Sequence, residues 1–112
     1  MDIAANIHTE LRLVYTGYIA GSGTGIVTVN GTPASRHIHL LNASNFAYLR
    51  HTVSLPNGHY IFNGLDANMQ YIVICRDHNK EYEPAAWDYV TPATDLTIQQ
   101  QQELWQSWQT LT

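Results

Sequence analysis

The sequence predicts a mainly β protein, a single antiparallel sandwich of about seven strands with an N-terminal arm before it and one helix after it. Three observations predict it. Short apolar runs rich in β-branched and aromatic residues recur along the chain. Turn signals separate them at a spacing of roughly ten residues. Only the last stretch changes to helical periodicity. The expected organisation is an arm with a Gly-rich joint over 1–24, the sandwich over 25–92 and the helix over 93–112.

The strongest strand signals lie between Tyr60 and Asp77. Tyr60-Ile61-Phe62 comes after the turn signal Pro56-Asn57-Gly58 and stops at Asn63-Gly64. Met69 to Cys75 is apolar at nearly every position, which predicts a central strand covered on both faces.

Upstream, Ile3, Ile7, Leu11 and Val14 recur at helical spacing, whereas Leu11–Tyr15 with Tyr18 and Ile19 also reads as extended. A short helical or irregular start and then a strand are expected. Gly21-Ser22-Gly23-Thr24-Gly25 is a flexible joint by composition, and the strand-like run after it argues against a phosphate loop, which needs a helix there. Ile26, Val27 and Val29 lead into Asn30-Gly31, a strong hairpin dipeptide. Arg36–Leu41 alternates, with Ile38 and Leu40 on one parity. Asn42-Ala43-Ser44-Asn45 is a polar turn. In Phe46–Val53, Ala47, Leu49 and Val53 are expected inward, and Tyr48, Arg50 and Thr52 outward. Asp77–Glu81 is a charged loop. Pro84 makes the stretch Tyr82–Val90 an edge strand, or a loop before a short strand at Trp87–Val90. Thr97-Ile98-Gln99-Gln100 fits a capping box, and Ile98, Leu104, Trp105, Trp108 and Leu111 then share one side of a helix.

The composition bounds the function. A chain of 112 residues with 45% hydrophobic and 12% charged residues suits one folded domain, at about half the usual charged share. A net charge of -4 and five Lys plus Arg disfavour nucleic-acid binding, which needs clustered cations. No window reaches membrane-spanning length, and Met1–Asn6 lacks the charged and apolar segments of a leader. Cys75, the single cysteine, falls on the proposed central strand as an apolar filler.

The ordered signals resemble a known pattern. Gly25–Ala34 is similar to the opening of carboxypeptidase-regulatory-like domains, which have a transthyretin-like (prealbumin-like) sandwich, and Arg36–Leu40 matches their second strand. Ser54-Leu55-Pro56-Asn57-Gly58-His59-Tyr60-Ile61-Phe62-Asn63-Gly64-Leu65 resembles their most recognisable stretch, Ser-x-x-x-Gly-x-Tyr-x-Phe-x-x-Leu. The version of this module in small bacteriophage tail or tail-associated virion proteins adds Asp-His-x-x-x-Tyr and Asp-x-Val-x-Pro. Here these read Asp77–Tyr82 and Asp88–Pro92. The resemblance implies a non-enzymatic structural protein of the virion, made in the host cytoplasm and present in several copies. It also implies binding to other virion structural proteins, without cofactor, nucleic acid or membrane.

Attachment is expected outside the shared core. The C-terminal candidates are Ile98, Leu104, Trp105 and Trp108, since paired Trp residues are typical interface anchors. Ile3, Ile7 and Leu11 are the N-terminal candidates. The bland alternative for the helix is that its apolar stripe covers the protein's own sheet. A second functional reading is a carbohydrate- or receptor-binding module, with Tyr48, Tyr82, Trp87 and Tyr89 as stacking faces. His37 and His39 share a strand face, but a metal needs a third ligand such as His51 at no diagnostic spacing, so an ordinary strand face is expected. No Gly-x-Ser-x-Gly elbow is present, and Trp108–Thr112 lacks the Tyr-Arg-Gly-Ser ending of the hydroxyisourate hydrolases that share the prealbumin-like fold.

Overall fold

A computed structural model describes residues 15–77, 79 and 84–111. Ile3, Ile7, Leu11 and Tyr82 lie outside them. Eight strands are present among the described residues: β1 (Gly17–Gly21), β2 (Thr28–Val29), β3 (Thr32–Pro33), β4 (His37–Asn42), β5 (Tyr48–Val53), β6 (Tyr60–Leu65), β7 (Tyr71–Arg76) and β8 (Ala85–Val90). An α-helix, α1 (Ile98–Gln109), comes after them. The strands form three small antiparallel sheets: β5-β4-β7-β8, β1-β6 and the β2-β3 ribbon.

The local rules explain most of these elements. Asn30 and Gly31 have φ of 53° and 81°, the left-handed pair that a two-residue hairpin requires, and they close β2 onto β3. Thr97 caps α1 by accepting from the Gln100 N–H, while the Gln100 side chain accepts from the Thr97 N–H. β7 is internal, as its apolar run predicts, with Tyr71, Ile72 and Val73 buried.

The core lies between the four-stranded sheet and the β1-β6 pair. Ile38 and Leu40 from β4 and Val73 from β7 meet Ile19 from β1 and Phe62 and Leu65 from β6. Ile38 and Leu40 are fully buried, and burial of this kind contributes about 1.5–3 kcal/mol per side chain. A second cluster lies on the opposite face of β1-β6, where Tyr18 and Ile61 pack against Trp108. The order of layers is therefore sheet, strand pair, helix.

Three expectations need correction. Gly17–Gly21, grouped with the arm, is a strand of the body, because Tyr18 and Ile19 are each buried on one face of the β1-β6 pair. The facing of β5 is reversed over Leu49–Val53: Thr52 and Arg50 pair with the buried Ile38 and Leu40, which leaves Leu49 and Val53 over 40% exposed, whereas Tyr48, beyond the register shift, is outward as expected. Cross-strand partners share a face, and the long stem of Arg50 reaches inward there to the Phe62 ring and the Asn63 carbonyl. Trp108, expected on a docking surface, is only 5% exposed, because the bland alternative holds at that position and it packs on its own sheet.

Polar contacts hold the loops between these small sheets. Ser54 is buried; its hydroxyl donates to the Ala34 carbonyl at 2.7 Å and accepts from the Arg36 N–H at 2.9 Å. The next turn brings Gly58 against Val27, whose N–H donates to the Gly58 carbonyl at 2.9 Å. Gly58 has φ of 85°, and a Cβ there would stand 2.6 Å from the Val27 carbonyl oxygen. Gly58→Ala is expected to destabilise the fold by about 1–3 kcal/mol, read as a lower urea midpoint with an unchanged slope. An unchanged midpoint would show that this turn does not hold the two segments together.

Candidate functional site

Three groups of side chains qualify as candidate sites, and they lie on different parts of the molecule. The first is on the outer face of the four-stranded sheet. The β4–β5 register sets His51 opposite His39, with His37 two residues along on the same face. The rings form a triangle with centroids 6.4, 5.9 and 6.0 Å apart, and His39 Nδ1 is hydrogen-bonded to the Tyr48 hydroxyl at 3.0 Å. The structure thus supplies the third imidazole that sequence spacing left open. Even so, among the described residues no three His, Cys, Asp or Glu side chains are arranged to hold a metal ion.

Burial lowers the His39 pKa from its ordinary value, and His51, His37 and Arg76 add repulsion. A histidine whose folded pKa lies below its unfolded one binds protons more readily when the chain is unfolded. Its stability contribution is complete above about 6.5 and is lost as pH falls from there through the folded value.

The second group is the helix–sheet junction. Trp108 sits 4.9 Å from the His59 ring between centroids, and its carbonyl accepts from Asn57 Nδ2 at 2.8 Å. Gln101 is fully buried; its Nε2 donates to the carbonyls of Thr16 at 2.8 Å and Leu96 at 3.1 Å. The Tyr18 hydroxyl donates to Asp95 at 2.7 Å, and burial, with the Asp95 carboxylate, pushes its pKa up to about 12. The other three helix candidates, Ile98, Leu104 and Trp105, are half-buried. Trp105 stands edge-on to Trp108 and borders an open groove of about 360 Å³ with Thr52, Ile61, Asn63, Gln102 and Gln106.

The third group is the set of aromatic stacking candidates, which the structure separates. Tyr48 joins the histidine face. Trp87 borders a groove of about 270 Å³ with Ile19, Tyr60, Val73 and Val90. Tyr89 borders a different cleft, with Asn42, Ser44, Asn68 and Gln70. Sequence reasoning missed that cleft, because its members come from three separate pieces of chain. It also missed the backbone of Phe46 and Tyr89, both left-handed, with φ of 61° and 53°. Such a conformation costs a bulky residue about 1–3 kcal/mol and tends to mark positions shaped for something besides folding.

The conventional reactive groups are engaged in structure. Cys75 is half-buried and packs on the core, and burial raises its thiol pKa. Asp77 accepts from Arg36 Nε at 3.0 Å in a largely buried ion pair. The Ser54 hydroxyl is taken up by Ala34 and Arg36. Comparison with protein-family models, with curated proteins and with solved structures finds no match. The functional reading therefore rests on the residues themselves.

Trp108→Ala should cost about 3–5 kcal/mol in urea denaturation, as for an aromatic removed from a core, whereas Trp105→Ala should cost distinctly less. Equal costs would contradict the assigned burial. The melting temperature should fall as pH drops below about 6.5, and His39→Gln should narrow that fall. An equally steep fall in the variant would place the acid sensitivity elsewhere.

Proposed function

We propose that this chain is a non-enzymatic structural protein of a bacteriophage virion, a tail, neck or appendage component that acts through contacts with other structural proteins. On this reading the four-stranded sheet and the β1-β6 pair are the two leaves of a prealbumin-like sandwich, with β1 added from outside the Gly25–Val90 stretch that carries the resemblance. A single core built from both leaves supports that assignment.

The observation that carries the assembly role is the exposure of large apolar side chains along β5. Tyr48, Leu49 and Val53 are 56%, 42% and 41% exposed on a strand at the edge of its sheet. An exposed apolar edge promotes self-association unless something covers it. A surface poor in charge and rich in aromatics is the composition of an interface. The groove beside Trp105, lined by Thr52 of β5 together with residues of β6 and the helix, adds a second candidate contact surface. The engaged states of Ser54, Cys75 and Asp77 support a non-catalytic body.

The test is made on purified particles. Quantitative mass spectrometry should find the chain in virions at a fixed ratio to other structural proteins. Trp105→Gln, which spares the buried Trp108, should lower that ratio at least several-fold while the isolated variant keeps its cooperative melting. Absence of the wild-type chain from particles would overturn the virion role. Normal incorporation of the variant would remove the helix from the docking surface.

A further inference from the structure

The cleft beside Tyr89 is built from three separate pieces of chain. The β4–β5 turn contributes Asn42, Ala43 and Ser44; the β6–β7 turn contributes Asn68, Met69 and Gln70; the end of β8 contributes Tyr89. Together they border an open cleft of about 340 Å³, within the range of small-ligand sites.

The cleft is held in shape before any ligand arrives. The Ala43 N–H donates to the Gln70 carbonyl at 3.1 Å, which ties the two turns together. Asn42 Oδ1 accepts from both the N–H and the hydroxyl of Ser44 at 2.8 Å, which fixes that amide. Gln70 Nε2 donates to the Thr91 hydroxyl at 3.3 Å, which anchors the third side. These contacts leave Asn42 Nδ2, Gln70 Oε1 and the Asn68 side-chain amide without a hydrogen bond among the described residues. The rim therefore presents both donors and acceptors, from the Asn42 and Gln70 amides that these contacts orient and from the Asn68 amide beside them.

Tyr89 completes the wall in an unusual way. The β7–β8 register is interrupted between Tyr71 and Val73, and Tyr89, in the opposite strand, takes up a left-handed backbone. Bulges of this kind re-aim a side chain. Here the ring borders the cleft and stays 66% exposed. No Asp, Glu, Lys, Arg or His lines the cleft among the described residues.

An uncharged wall of amides and a hydroxyl beside an exposed aromatic ring fits one ligand chemistry. A charged ligand would find no countercharge, and an apolar one would leave the amides unpaired. A neutral pyranose offers hydroxyls that donate and accept together, and an apolar C–H face that packs on a ring. We propose that this cleft binds a short neutral carbohydrate, with Tyr89 as the stacking face and Asn42, Asn68 and Gln70 as readers of its hydroxyls. This is a binding activity separate from assembly, and it keeps one of the four aromatic candidates, Tyr89, in a ligand site.

The test is an NMR titration of the full chain with maltotriose, cellotriose, chitotriose and a galactose trisaccharide, with sialyllactose as the anionic comparison. At least one neutral sugar should shift the Asn42, Asn68 and Gln70 side-chain amides saturably at up to ~10 mM, the range of weak carbohydrate binding. Tyr89→Gly should weaken that binding at least tenfold and leave the melting temperature equal or higher, because glycine accepts the left-handed backbone. Gln70→Ala should weaken binding without touching that backbone. No saturable shift with any neutral sugar would overturn the proposal, as would tighter binding of sialyllactose or undiminished binding by Tyr89→Gly. None of these outcomes depends on whether the chain assembles into particles.

Discussion

Strand β6 is the constraint on which the rest of the structure depends, because its two faces are needed by two different partners. Tyr60, Phe62 and Leu65 enter the core shared with the four-stranded sheet, and Ile61 enters the cluster with Trp108. A register slip of one residue would exchange these faces and expose both clusters at once. Strand pairing, sheet packing and helix docking are thereby fixed together. The β1-β6 pair has only two strands, and two strands alone are marginal in water. The helix is accordingly part of the fold, since it covers a face of β1-β6 that the other sheet does not reach.

Buried polar groups complete what these small sheets leave open. Ser54 joins the start of β4 to the end of β5, and Arg36 with Asp77 joins that corner to the end of β7. Gln101 reaches across from the helix to the Thr16 carbonyl just before β1. Each contact ties together segments distant in the chain, and at the Ser54 corner it adds to the Ser54 N–H bond to the Arg36 carbonyl at 3.0 Å. Gln101 Oε1 has no hydrogen-bond partner among the described residues, which makes that amide the least satisfied buried group there.

Elements were legible in the sequence wherever one local rule governed them. Asn30-Gly31 specified a hairpin, Thr97 with Gln100 specified a helix start, and the apolar run around Val73 specified an internal strand. Legibility failed where tertiary context chose between equal local options. Phe46–Val53 carries apolar side chains on both parities, so its facing depended on its partner strand, and Arg50 took the core side. The tryptophans looked alike on the helix stripe, yet Trp108 is buried with Tyr18 and Ile61, while Trp105 packs against that cluster from its margin and is only partly covered. Among the candidate sites, the His37–His39 pair was visible as a strand pattern, whereas its third member depended on register. The Tyr89 cleft was not visible, because no sequence spacing joins two turns and a strand end.

The exposed side chains differ in chemistry from one part of the surface to another, and that difference bears on function. Around β5 they are apolar and aromatic beside a histidine triangle, a surface that gains from being covered by protein. Around Tyr89 they are amides and a hydroxyl held in place by hydrogen bonds to their own backbone and to one another, a surface that gains little from dry contact and much from a polar ligand. The sorting is one of polar groups and not of exposed apolar ones, since Phe46 and Tyr89, 69% and 66% exposed, also lie at the loop end; what sets that end apart is its hydrogen-bonded Asn42, Ser44 and Gln70 side chains. Loops can present polar atoms from several directions at once, which a flat sheet cannot do. On the two proposals, neighbours cover the β5 face and the Trp105 groove, which Ile61 and Asn63 of β6 help to line, whereas the Tyr89 cleft draws no residue from that strand.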